Sequence, residues 1–338
     1  SARDITWGGN TALTADLIAI KNRDQTDEWK VLDRIRGATK ELNMDSAALE
    51  STDTDGLDDF GVTDGFGLGS GGAGYNDNTE KFVAFGWAAG GTTGALDESG
   101  TIDATISANT TAGFSYGTFT GTGSAGTIPH GLSSAPDFIV VKRRGDDSTG
   151  DWNAYHSANT AAPETDYLKL SDTPATVDSA ARWNDTAPTS SLFTVADNLD
   201  VNETGKTYVF YAWHSVASYS AFGSYVGNDN LDGPYINLGF RPAVLILKNT
   251  SIVQSWDIMN YASNPTNVGT SGANGFANLR PNTTAADDTN CVLDFLANGF
   301  KVREDACNDM NGSGNTIVYC AWAEFPFGGS GVAQARAR

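Results

Sequence analysis

Two stretches of 24 residues decide the fold: Phe119–Lys142, FTGTGSAGTIPHGLSSAPDFIVVK, and Tyr225–Lys248, YVGNDNLDGPYINLGFRPAVLILK. They align without a gap at an offset of 106 residues, and the aliphatic runs before the final lysine coincide. A third copy of the aliphatic run stands at Asp16–Lys21, DLIAIK. Self-similarity at a fixed spacing is typical of a repeated structural unit. The sequence therefore predicts three copies of one module.

Each copy carries tryptophan at two repeated positions. The first follows the lysine and a polar turn, and the second ends an alternating aromatic strand such as Tyr208–Trp213, YVFYAW. Alternation with a period of two indicates a strand that buries one face. Recurrence at strand positions favours core packing over ligand contact. The predicted core tryptophans are Trp29, Trp152 and Trp256 at the first position and Trp87, Trp213 and Trp322 at the second.

Short apolar strands between turns rich in Gly, Asn and Asp predict an all-β fold. We expect tandem antiparallel β-sandwich modules, jelly-roll-like in architecture. We expect the first module to span 1–90, a connecting segment 91–111, the second module 112–217, the third module 218–328 and an extended tail 329–338.

The first copy has no counterpart of the strand that opens the other two, because only 20 residues precede Lys21. We expect either a longer parent chain or a neighbouring subunit that completes this sheet, since an open edge strand invites aggregation. On one interpretation, the alternation of Ile102 and Ile106 indicates an additional strand within the connecting segment over 91–111.

The charge balance excludes some partners. The chain of 338 residues has 41 acidic against 21 basic side chains, a formal net charge of -20. Nucleic-acid binding requires cations that displace counterions, so we expect no nucleic-acid partner. No stretch reaches the roughly 20 apolar residues of a membrane span, and we expect no membrane insertion.

Motifs that carry enzymatic chemistry are weak, and we expect a protein that is not an enzyme. Gly113–Gly117 spells G-x-S-x-G, but strand sequence follows where a nucleophile elbow requires a helix. Gly67–Gly72 matches G-x-G-x-x-G without a following helix, and is interpreted as a hairpin loop. The histidines, His130, His156 and His214, are not paired at the spacing of zinc ligands.

Two features leave alternatives open. Asn228, Asn230 and Asp232 have the oxygen spacing of the first half of a calcium loop, which makes Ca²⁺ the one cofactor to consider; ordinary turn chemistry explains the same residues. Among the cysteines, Cys291 and Cys307 form one conceivable bridge, while Cys320 lies in a strand pattern typical of a buried free thiol.

Aromatic side chains outside the repeated positions are the candidates for ligand binding. Exposed aromatic rings stack on sugars, which makes Tyr155, Trp183 and Tyr261 candidates for a glycan site, with His156 beside Tyr155 in a loop of the second module. The other modules repeat neither His156 nor Trp183. We therefore expect these four residues to contact a glycan.

Six strings along the chain form one family signature. They are Gly113–Gly123, His130–Leu132 with Ala135–Pro136, Ile139–Arg143, Trp183–Ser191, Gly233–Tyr235 with Gly239–Ala243, and Ala323–Gly329. Together they resemble a repeat domain common in virion proteins of tailed bacteriophages, many of them marine. The resemblance covers nearly the whole chain and supplies no catalytic residues.

The resemblance implies a virion surface or appendage protein, fibre-like and non-enzymatic, that contributes to host attachment through loop contacts. Its implied partners are further copies of the chain in a homo-oligomer, a trimer by family analogy, other virion proteins, and a host-surface glycan or protein. One alternative is a capsid or tail decoration with a purely structural role. A second is a glycan-binding depolymerase.

Overall fold

A computed structural model describes residues 1–8, 12–71, 74–145, 150–267, 276–289, 291–305 and 307–324. About 40% of the chain is strand and 4% is helical, which confirms the predicted all-β class. The tail over 329–338, the end of the third module and the Phe325–Gly329 part of the family signature lie outside the described residues.

The first module consists of two packed sheets. Its strands are β1 (Arg3–Thr6), β2 (Leu17–Asn22), β3 (Lys30–Asp33), β4 (Lys40–Asn43), β5 (Ser51–Thr52), β6 (Leu57–Asp59), β7 (Gly65–Leu68) and β8 (Phe82–Trp87). The inner sheet has the order β5-β4-β3-β2-β8 and the outer sheet the order β1-β7-β6. All the pairings are antiparallel.

The second module has the largest sheet. Its elements are β9 (Ala95–Asp97), β10 (Ala104–Asn109), β11 (Phe114–Thr120), β12 (Gly126–Pro129), β13 (Phe138–Arg143), β14 (Asn153–His156), a 3₁₀ turn (Pro163–Thr165), β15 (Asp166–Lys169), β16 (Val177–Asp178), β17 (Leu192–Val195), α1 (Leu199–Asn202) and β18 (Thr207–Trp213). The inner order is β16-β15-β14-β13-β18-β11-β10-β9, and β12 pairs with β17 in the outer sheet.

The third module repeats this plan. Its elements are β19 (Ser220–Val226), β20 (Tyr235–Asn237), β21 (Pro242–Asn249), β22 (Trp256–Asn260), β23 (Asn278–Leu279), β24 (Leu293–Leu296), β25 (Gly299–Val302), α2 (Asn308–Asn311) and β26 (Thr316–Ala323). The inner order is β19-β26-β21-β22-β23 and the outer order is β20-β25-β24. The predicted aliphatic runs are the central strands β2, β13 and β21, and each pairs with its closing strand.

The segment over 91–111, predicted as a connection, contributes two strands to the inner sheet of the second module. β10 pairs with β11 from Ala104 opposite Phe119 to Asn109 opposite Phe114, and β9 pairs with β10. The alternation around Ile106 therefore does mark a strand. These two strands enlarge the inner sheet of the second module beyond that of the other two.

The repeated tryptophans that follow the lysines join the three modules into a ring. Trp152 donates its indole N–H to the Asn43 carbonyl of the first module at 2.9 Å. Trp256 donates to the Lys169 carbonyl of the second module at 2.8 Å. Trp29 of the first module donates to the third, to a carbonyl 251 residues further along the chain. Each module thus bonds to the one before it, and the first bonds to the last, so the arrangement has pseudo-threefold symmetry.

The repeated lysines reinforce two of the junctions. The buried Lys142 ammonium donates to the carbonyls of Ala47 and Ala48 in the first module at 3.1 and 2.7 Å. Lys248 donates to the Thr173 carbonyl of the second module at 2.9 Å. Burial lowers the pKa of both ammonium groups to about 8. Three carbonyl acceptors around Lys142 replace the water that burial removes.

The closing tryptophans meet on the pseudo-threefold axis. The ring centroids lie 5.8 Å apart for Trp87 and Trp213, 5.4 Å for Trp87 and Trp322, and 6.1 Å for Trp213 and Trp322. All three pairs are edge-to-face, the geometry that aromatic quadrupoles favour. One apolar core therefore contains side chains from every module.

Candidate binding groove

Three of the four predicted ligand-binding residues are buried, so the expectation that they form an exposed surface is wrong. Tyr155, His156 and Trp183 expose only 5%, 1% and 2% of their surface. Tyr155 and Trp183 pack edge-to-face inside the second module, with ring centroids 6.1 Å apart. Neither ring can stack on a sugar from solvent in this conformation.

His156 has a structural role at a module junction. One ring nitrogen lies 3.1 Å from the Tyr319 carbonyl of the third module, and the other accepts from the Ala158 amide. Burial lowers the pKa of this imidazole to about 4.

Tyr261 is half-buried, and the Arg241 guanidinium lies 4.0 Å from the centre of its ring. The cation covers one face of the ring, which leaves at most the other for a ligand.

The predicted calcium loop uses its oxygens internally. The Asn228 side chain accepts from the Asn230 amide at 3.2 Å, and the Asn230 side chain accepts from the Asp232 amide at 2.9 Å. The Lys301 ammonium lies 2.6 Å from the Asp232 carboxylate, which is exposed. Two of the three predicted ligands thus form turns, and a lysine already neutralises the third.

The cysteine alternatives are resolved by the geometry. Cys291 and Cys307 are joined as a disulfide, with Cα atoms 5.6 Å apart. Cys320 is a free thiol in β26, and burial raises its pKa well above the ordinary value.

The motifs that resemble catalytic signatures lie in strands. Ser115 of the G-x-S-x-G string is in the middle of the β10–β11–β18 sheet and is completely buried. Gly67 of the G-x-G-x-x-G string lies in β7 opposite Asp4, so the predicted hairpin loop begins later than expected.

His130 is also buried, and its ring lies 3.2 Å from the Thr189 carbonyl. Burial lowers its pKa to about 4.

An open groove lies where the two extra strands enlarge the second sheet. Its volume is about 540 Å³, which is within the usual size of ligand sites. It extends from Leu96 on β9 to Arg144, the residue that follows β13. Threonine is the dominant lining residue: Thr101, Thr105, Thr118, Thr120, Thr122 and Thr207.

Strand alternation creates this threonine surface. Thr105 lies opposite Thr118 on β10 and β11, and Thr120 lies opposite Thr207 on β11 and β18. Phe119, between two of these threonines, points into the core of the second module. Successive side chains of a strand face opposite sides, so Thr118 and Thr120 share the groove side. Within the described residues no hydrogen bond engages their hydroxyls or that of Thr207. The Thr122 hydroxyl, by contrast, donates to the Ser124 carbonyl, and the Thr101 hydroxyl accepts from the Thr127 amide.

The groove lies next to the first module and presents little net charge. Arg144 forms a two-point ion pair with Glu50 of the first module, at 2.9 and 3.1 Å. The guanidinium is thereby neutralised, and hydroxyls dominate the remaining polar surface. The exposed Asp103 adds a negative charge at the groove. Hydroxyls both donate and accept hydrogen bonds, so the arrangement suits a neutral polyhydroxylated ligand.

The sequence does not single out this groove, because its polar lining consists mainly of threonines rather than of the exposed aromatic rings typical of sugar sites. The available signal was the pair Thr118 and Thr120 at alternate positions of β11, FSYGTFT. Such a pair predicts a polar patch on one face of a strand but does not show that neighbouring strands add further threonines.

A profile of the domain of unknown function DUF7483 matches residues 2–326. The chain belongs to this family. No curated protein and no solved structure matches the chain. The match to the family covers all three modules and both strands that enlarge the second sheet. Among the described residues, no helix is long and apolar enough to cross a membrane.

Proposed function

We propose that the protein is a non-enzymatic surface or appendage protein of a tailed-phage virion, and that it attaches to host-surface glycan through the threonine groove. The observation that carries the attachment is the groove itself: it is open, of ligand size and lined by threonines, and among the described residues no hydrogen bond engages the hydroxyls of Thr118, Thr120 and Thr207. The virion setting is inferred from the family resemblance of the sequence. The exposed acidic surface, with a net charge of -20, suits a soluble particle surface.

The proposed ligand is a neutral polysaccharide. Sugar hydroxyls form hydrogen bonds with threonine hydroxyls, and Leu96, which is 64% exposed, supplies apolar contact for a sugar ring. A strongly acidic protein repels anionic polymers, so a neutral polymer is favoured over a sulfated or uronic one. A single shallow groove binds weakly. Many copies on one particle convert weak contacts into firm attachment.

We expect the double variant Thr118→Val/Thr120→Val to bind host envelope polysaccharide about tenfold more weakly, because each lost hydrogen bond contributes roughly 0.5–1.5 kcal/mol. Valine keeps the shape of threonine and favours strands, so the fold is retained. Retention of the purified protein on immobilised polysaccharide measures the effect. The matched control is Thr110→Val, an exposed threonine between β10 and β11.

The same incubation separates the alternatives. Retention without released sugar, lost in the double variant, supports attachment. Retention with released sugar favours the depolymerase. No retention on polysaccharide from the host contradicts the attachment proposal and favours a structural decoration.

A further inference from the structure

A buried aspartate of the third module occupies a position that holds asparagine in the second. Asp257 and Asn153 each follow a repeated junction tryptophan, and both are completely buried. Arg182 and Arg280 also correspond, because each bonds to the second residue of the short helix in its module. Arg182 donates to the Asn153 oxygen at 2.6 Å, whereas Arg280 stays 3.7 Å from the Asp257 carboxylate. That distance is too long for a hydrogen bond.

The Asp257 carboxylate accepts a single hydrogen bond within the part of the chain that the structure describes. The Asn278 side chain on β23 donates from Nδ2 to Asp257 Oδ1 at 2.8 Å. The other carboxylate oxygen, Asp257 Oδ2, and the side-chain oxygen of Asn278 are both buried without a donor. Buried polar atoms without partners are rare and cost free energy, so this pair lacks a hydrogen that would satisfy it.

The charges around Asp257 balance without it. Arg280 Nη2 lies 2.9 Å from the Asp288 carboxylate and 3.2 Å from that of Asp309 on α2. The Lys248 ammonium of β21 lies near Asp309 as well. Two cations thus face two carboxylates, and an ionised Asp257 would be a buried charge without compensation. Burial, with the Asp309 and Asp288 carboxylates close by, raises the pKa of Asp257 well above its ordinary value.

Two further neighbours decide where a proton binds. The Asp309 carboxylate accepts from the Arg280 guanidinium, so it holds a negative charge more readily than Asp257 does. The Tyr225 hydroxyl of β19 donates to the Met310 carbonyl at 2.8 Å, and burial raises the pKa of this tyrosine well above its ordinary value. The tyrosine is therefore neutral, and Asp257 is the acid that gains most from a proton.

The Asp257–Asn278 contact lies at the base of the stretch that closes the ring. The backbones of Asn278 and Asp288 exchange two hydrogen bonds, at 2.8 and 2.9 Å. Within the stretch between them, the closing segment, the Arg280 carbonyl accepts from the Trp29 indole of the first module. The next-to-last residue of the segment donates its amide to another carbonyl of the first module at 3.0 Å. The Asn278 side chain therefore ties the closing segment to β22.

We propose that Asp257 binds a proton at neutral pH, and that the resulting acid forms a neutral pair with Asn278 that anchors the closing segment. In this pair the Asp257 O–H donates to Asn278 Oδ1, while Asn278 Nδ2 donates to Asp257 Oδ1. One proton thereby satisfies both oxygens that lack a donor. Ionisation breaks the first of these bonds and places three carboxylates around one guanidinium, so it loosens the closing segment.

The variant Asp257→Asn is the conservative test, because its amide is neutral and can make both hydrogen bonds. The measurement is nuclear magnetic resonance of the intact protein with carbon-13 in the aspartate carboxyl groups. We expect one carboxyl resonance with the chemical shift of a protonated acid at pH 7, and we expect Asp257→Asn to lack it. The control Asp229→Asn changes an exposed aspartate of the same module and keeps the resonance. Ionised shifts for every aspartate at pH 7, or a protonated signal that survives in Asp257→Asn, overturn the proposal.

The pH dependence of unfolding is a second readout. An aspartate of the unfolded chain ionises near pH 3.9, whereas native Asp257 keeps its proton, so from pH 5 to pH 7 the native state binds one more proton. The stability that this group contributes therefore falls as the pH rises. The unfolding constant of the natural chain, divided by that of Asp257→Asn, should rise about tenfold per pH unit, and the effects of the histidines common to both proteins cancel. A ratio independent of pH over this range contradicts a bound proton.

The anchoring role has its own test. Asn278→Ala removes both side-chain hydrogen bonds of the pair, and we expect the indole hydrogen of Trp29 to exchange with solvent at least tenfold faster relative to that of Trp152. Trp152 lies at a different junction and serves as the internal reference. Asp257→Asn should keep the natural ratio. An unchanged ratio in Asn278→Ala contradicts the anchoring, and if this variant does not fold, the aspartate resonance and the unfolding ratio decide whether the proton is bound.

Discussion

Replacing Trp213 by alanine is expected to lower the free energy of unfolding by about 3–5 kcal/mol, the usual cost of removing a large buried ring. The ring centroid of Trp213 lies 5.0 Å from Phe114, 5.8 Å from Trp87 of the first module and 6.1 Å from Trp322 of the third. One substitution therefore loosens all three modules. Urea denaturation followed by tryptophan fluorescence and by circular dichroism measures the change.

The matched control is Trp87→Ala. This tryptophan occupies the equivalent position but is half-buried, so we expect a loss of roughly half the size. Because the modules share one core, both variants should unfold in a single transition that the two probes report alike. Equal losses in the two variants, or separate transitions for separate modules, would contradict the shared axial core.

Acidification from pH 7 to pH 4 is expected to cost several kcal/mol of stability through two buried histidines. An imidazole in the unfolded chain binds a proton near pH 6.5, whereas burial lowers the pKa of His130 and His156 to about 4. Between these values the unfolded state binds more protons, so stability falls as the pH falls. Each histidine contributes up to ~3 kcal/mol, from about 1.4 kcal/mol per unit of pKa difference.

The free energy of unfolding at pH 7, 5.5 and 4 tests this expectation. The double variant His130→Asn/His156→Gln lacks both imidazoles and should lose less stability on acidification than the natural chain, even where its stability at pH 7 is lower. The same pH dependence in both proteins would falsify the assignment, because the carboxylates common to both would then account for all of it.

The repeated pattern predicts much of the fold because strand alternation can be recognised within a few residues. The 106-residue offset then shows that the same strands occur again in another module. Residues that recur, such as Trp152 and Trp256, occupy equivalent places in the ring. Their carbonyl partners, on Asn43 and Lys169, could not be predicted from the sequence. A backbone carbonyl leaves no trace in side-chain identity, and its position depends on how the modules pack.

The candidate site was less predictable, for a physical reason that Trp183 illustrates. Its uniqueness among the modules suggested an exposed contact, yet the ring packs against Tyr155 in the core of the second module. A residue without a counterpart in the other modules shows only that the core of its own module is packed with different side chains. The groove arises instead from β9 and β10, which no other module has among the described residues.

The most direct test of the attachment proposal is an image of the intact phage particle at a resolution that places the three modules. The proposal predicts this protein on the outer surface of the particle, with the threonine groove open to solvent and in many copies. A groove sealed against another virion protein, or a particle without this protein, would contradict it.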